Sequence, residues 1–168
     1  MAVTSTKGRI RNIYEGLYTW IKEALEDAEY ADYFVSMDYK LDIMNTVHNP
    51  IVTIRITPTT YSDSFYGRVW QGGVSPDTGM EALFLFSLHV FSKYNTGIEE
   101  DHNRDAWIAT RIIVDYLNSL NKSTDLSPRG IYAFDNIRMR ESDPTIRNMG
   151  RIIIDGEIRT IREDSPWE

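Results

Sequence analysis

The chain has 168 residues, 42% hydrophobic and 26% charged, with a formal net charge of −7 and no cysteine. That length is expected to form a single domain over 1–168, with a core of about 8–162 and a short flexible C-terminal tail. No disulfide or thiolate metal site can form. The acidic total argues against free binding to nucleic acid, whose phosphates demand a basic face.

No apolar run approaches the ~20 residues needed to cross a bilayer, so no membrane role is expected. "MAVTSTKGRIRN" lacks an apolar signal core, and nothing suggests secretion. Between Glu15 and Asp42 lie eight acids and two lysines, whereas Arg129 to Arg162 holds seven of the thirteen arginines. Two solvated faces would account for this, or the two ends of the chain complement each other across subunits.

Ile10, Ile13, Leu17, Ile21, Ala24, Leu25 and Ala28 recur at helical spacing, with Tyr14 and Trp20 alongside. They predict a long amphipathic helix opening near Ser5 or Thr6 and fading near Ala31. In "YFVSMDYKL", Val35, Met37, Tyr39 and Leu41 alternate with polar residues, as in a half-buried strand. "IVTIRIT" predicts a second strand with Val52, Ile54 and Ile56 inward, ended by Pro58. A shorter strand is expected at about Phe65 to Gln71, followed by a loop rich in glycine.

"MEALFLFSLHVFSKYNTG" is apolar on both faces of a period-two reading. Thr78 and Glu81 resemble a capping box, which favours a helix. A helix here would be greasy all round, and the aromatic and β-branched content predicts a strand. Leu83, Leu85 and Phe91, on its second face, would need cover from a neighbouring subunit.

Ala106, Ala109, Ile113, Leu117 and Leu120 predict a second helix, with Glu99, Glu100 and Asp101 before its N-terminus. "NKSTDLSPRG" reads as a loop. "IYAFDNIRMR" and "RIIIDGEIRTI" read as strands, the latter broken at Gly156 by a turn or bulge. The order, with hairpin-length connections on both sides of the second helix, predicts an α+β fold: a mainly antiparallel sheet with two helices packed on one face.

No catalytic, metal or cofactor residue is expected. His48, His89 and His102 lack ligand spacing, and the acids of "EEDHNRD" are explained as helix capping. Hydrolase elbows, phosphate loops and dinucleotide fingerprints are missing. Asp38 and Lys40 could sit on one strand face, as in restriction-endonuclease-like nucleases, but the acid on a preceding strand is lacking. Tyr61, Phe65, Tyr66 and Trp70 cluster beside Gly72, Gly73 and Pro76. They anchor that loop or form a partner-contact surface.

"LFLFSLHVFSKYNTGIEEDHNRDAWIATRIIVDYLN" resembles the tail terminator (tail completion) proteins of long-tailed bacteriophages. A hydrophobic strand runs through a polar "FSK" turn and an acid-rich stretch into a helix. The preceding helix and hairpin and the later strands match that family's element order over roughly 8–162. The resemblance implies a structural virion protein rather than an enzyme. It would be a six-fold homo-oligomeric ring that caps the tail tube, stops its polymerisation and joins the tail to the head connector.

Its partners would be its own copies, the tube protein and a neck protein, with DNA only passing through the bore. It would be assembled in the host cytoplasm and reside in the virion tail or neck. Other tail, head-closure or baseplate subunits are the alternatives. In a head-to-tail ring, Arg138, Arg140, Arg147 and Arg151 would meet Glu23, Glu26 and Asp27 of the next copy.

Overall fold

The computed structural model describes residues 6–37, 48–58, 80–93, 103–142 and 149–162. Helix α1 spans Thr6–Asp27, β1 Phe34–Ser36, β2 Ile51–Pro58, β3 Met80–Lys93, α2 Arg104–Ser119, β4 Ile131–Glu141 and β5 Met149–Arg162. The strands form one sheet in the order β1-β2-β3-β5-β4. The 80–93 segment is the central strand, as its composition predicts.

Both helices pack on the same face. Ile13, Leu17, Ile21 and Leu25 of α1 and Ala109, Ile113 and Leu117 of α2 share one core with Val52, Ile54, Phe84, Phe86, Leu88, Val90, Ile154 and Ile158. Each fully buried Leu, Ile or Phe contributes about 1.5–3 kcal/mol of transfer free energy. Three aromatics organise its far side. Phe134 meets Trp20 edge-on at 6.0 Å between ring centroids, and Phe86 edge-on at 5.8 Å.

Helix α1 stops at Asp27, short of Ala31. Tyr30 N–H donates to the Leu25 carbonyl and Glu29 N–H to the Glu26 carbonyl. Glu29 holds φ +64°, completing a Schellman turn with a residue other than the usual glycine.

Three expectations change. Strand β1 runs parallel to β2, pairing Phe34 with Ile51 and Ser36 with Thr53, so these two do not form a hairpin. A parallel pair cannot be joined by a tight hairpin turn. "NKSTDLSPRG" is not irregular: Lys122–Leu126 and Ser127–Arg129 are short helical turns. Asn121 caps the first, accepting from Ser123 and Thr124 N–H while Asp125 accepts from its own N–H.

Strand β5, finally, is unbroken at Gly156. The irregularity lies opposite, on β4, where the register shifts between Asp135 and Arg138 and Asn136 takes φ +51°. Of the strand expected over 33–41, β1 is the part described; residues 38–41 and the strand expected at 65–71 lie outside the described residues.

Candidate functional site

The second face of the sheet, away from the helices, carries the polar chemistry. Strand register aligns Arg55, Ser87, Asp155 and Arg138 in one row across β2, β3, β5 and β4. The neighbouring rows bring Thr57, Leu85 and Glu157 to one side and Thr53, His89, Ile153 and Arg140 to the other. Between them is a concavity of about 550 Å³ whose rim includes Arg55, Arg138 and Arg140.

A continuous set of hydrogen bonds crosses this floor. Arg151 donates to His89 Nδ1 from Nε at 3.2 Å and from Nη2 at 2.5 Å. With Nδ1 accepting, the proton of the neutral ring lies on Nε2, which faces Ser87 Oγ at 3.3 Å. Ser87 Oγ donates to Asp155 Oδ1 at 2.8 Å, and Arg140 Nε donates to Asp155 Oδ2 at 2.7 Å.

Burial, followed by the Arg151 charge, lowers the His89 pKa to about 4. For Asp155, burial opposes ionisation, but the hydrogen bonds from Arg140 and Ser87 outweigh it. They hold its pKa below the ordinary carboxylate value.

Serine, histidine and aspartate meet here in an order unsuited to nucleophilic catalysis. A triad needs histidine between serine and carboxylate, so that the ring takes the serine proton. Here the serine is in the middle and gives its proton to the carboxylate, while the accepting nitrogen of His89 is taken by Arg151. This arrangement locks side chains in place. Among the described residues no His, Cys, Asp and Glu group has the makings of a metal site. Asp38 and Lys40 lie outside them.

The residues singled out by sequence are dispersed. Arg138 is exposed on β4. Arg140 is engaged within the chain by Asp155, across the β4–β5 pair. Arg151 lies over the Phe91 ring at 5.4 Å. Leu83 is half-buried and Leu85 is 42% exposed on the floor of the concavity.

Phe91 needs no neighbour. It is already buried at 2% exposure, in a small cluster with Ile51 and Met149. Glu23 accepts from Tyr116 Oη at 2.6 Å and Glu26 from Tyr33 Oη, and these bonds push both tyrosine pKa values up to about 12. Asp27 is exposed. Arg147, Tyr66, Trp70, Gly72, Gly73 and Pro76 lie outside the described residues.

Sequence reasoning missed Arg55, Ser87, His89 and Asp155 as one surface. The alternation of "IVTIRIT" did place Arg55 opposite Val52, Ile54 and Ile56. Its row partners depended on register.

No family model and no curated protein matches this chain. Among solved structures, it is similar to a chain of the virion of a native gene transfer agent particle. Identity is 15% and the TM-score 0.50, over 88% of this chain and 93% of the other. The two share a fold.

Proposed function

We propose that the chain is a structural subunit of a phage-type virion, specifically a tail terminator. In this reading copies of the chain close into a ring on the last disc of the tail tube. The ring halts tube polymerisation and presents a surface to the head connector. The observation that supports it best is the fold shared, nearly end to end, with a chain of a gene transfer agent virion. The finer reading, a terminator, is supported by the element order that the sequence shares with that family.

The locked polar network on the sheet suits a scaffold rather than a reaction centre. An acidic total charge lets DNA pass the bore without being gripped. The aromatic segment around Tyr66 and Trp70, with Gly72, Gly73 and Pro76, contacts the tube or the connector.

The test is to tag this chain in its particle and locate it by electron microscopy, then delete it. A terminator gives label at the head–tail joint, with overlong tubes or headless tails on deletion. Loss of the tube itself would make it a tube subunit. Label at the distal tip would make it a baseplate subunit, and normal tube length with unsealed heads a head-closure protein.

A further inference from the structure

Two sets of charges make no ion pair among the described residues; Glu157, which also lines the concavity, accepts instead from Asn136. On the open sheet face, Arg55 and Arg138 end the row that Ser87 and Asp155 fill. Asp155 is taken by Arg140, and neither Arg55 nor Arg138 meets an acid among the described residues. Three strand spacings separate them, about 14 Å. Exposed Leu85 lies in the next row between them.

At the C-terminal end of α1, Glu23, Glu26, Asp27, Glu29 and Asp32 are all exposed, and no basic residue lies in the last turn. Acids at a helix C-terminus oppose the macrodipole, so this end is poised for external cations. Lys22, earlier on the same helix, is held over the Tyr18 ring. The two sets lie in different layers. Helix α1 packs on the face of Val52, Phe84 and Ile154, whereas Arg55 and Arg138 project from the other. One chain cannot bring its own together.

We propose that the arginine-rimmed concavity receives the acidic C-terminal end of α1 from a second copy of this chain. Arg55 and Arg138 straddle Glu26 and Asp27, and Leu85 packs beneath them. The contact joins two different patches, so it is head-to-tail and propagates into a ring or a filament rather than closing as a two-fold dimer. It rests on the ring subunit reading above and specifies which surfaces meet. Arg140 has a positioning role, through Asp155, and Arg55 replaces it at the contact.

Two variants each lose one surface: Arg55→Glu/Arg138→Glu and Glu26→Lys/Asp27→Lys. Each alone is expected to be folded by circular dichroism and monomeric by native mass spectrometry, up to ~1 mM. Mixed, the intact concavity of one meets the intact helix end of the other. A 1:1 dimer is then expected, weakening about tenfold or more between ~0.05 and ~0.5 M salt.

Because the chain has no cysteine, Arg138→Cys mixed with Asp27→Cys gives a second readout, a 1:1 product with a short bis-maleimide. A mixture that stays monomeric and uncrosslinked overturns the proposal, as does Arg55→Glu/Arg138→Glu self-associating like the unmodified chain. A chain that dimerises in this way yet is absent from tails would sink the virion reading and leave this contact standing. One found on tails whose variants do not pair would sink the contact alone.

Discussion

The ring of Phe86 on β3 lies against the bare backbone of Gly156 on β5. A Cβ at Gly156 would stand 2.5 Å from the ring and 3.4 Å from Ile137. Phe86 is itself held edge-on by Phe134, so it cannot swing away cheaply. Glycine is needed here for close approach, and the adjacent bulge on β4 accommodates it. Gly156→Ala is expected to destabilise the fold by about 1–3 kcal/mol, read as a lower urea midpoint at unchanged slope. An unchanged midpoint would show that the aromatic stack can yield.

Acidification acts on the open face through His89. Its folded-state pKa of about 4 lies below the ordinary histidine value, so the unfolded chain takes up the proton first. Stability is therefore intact above about pH 6.5 and falls as pH drops towards 4, by an amount on the order of 1–2 kcal/mol. Asp155, with a lowered pKa, gives up its own contribution only below the ordinary carboxylate range. Thermal melts from pH 7 to 4 should show this decline, and His89→Gln should flatten it. A wild-type melting temperature independent of pH over that range would contradict the arrangement.

Glu29 carries a left-handed backbone at φ +64° in the turn after α1. A Cβ there costs about 1–2 kcal/mol, partly offset in glycine by the greater entropy of its unfolded chain. Glu29→Gly is expected to raise stability by about 0.5–1 kcal/mol in denaturant titration, whereas Glu29→Ala, which keeps the Cβ, should bring no comparable gain. Equal effects from the two would point to charge rather than backbone strain.

Residues 72–79, rich in glycine with one proline, are expected to serve contact rather than folding. Exchanging them for a short Gly-Ser linker should move the melting temperature by no more than ~2 °C while impairing tail–head joining. A fall of ~10 °C or more would assign the segment to the core.

Periodicity alone determined the helices, because Ile13, Leu17 and Ile21, or Ala109, Ile113 and Leu117, recur at a spacing that only a helix turns to one side. It likewise determined that Val52, Ile54 and Ile56 face inward and Arg55 outward, since a strand alternates whatever its neighbours are. Three things needed the tertiary structure. Whether β1 pairs parallel or antiparallel to β2 depends on the path of 37–50, which local alternation does not encode. Gly156 reads as a break in one strand, yet the bulge belongs to its partner, because the space that glycine vacates is filled by Phe86 from a third.

The charge pattern is the sharpest case. Counted along the chain, Arg138 and Arg140 look equivalent and in excess. Register places Asp155 within reach of both, and only Arg140 takes it, leaving Arg138 to stand with Arg55 across four strands. Ion pairing is decided at distances of a few ångströms between residues far apart in sequence. Composition supplies the charges, and only the fold decides which of them remain unsatisfied.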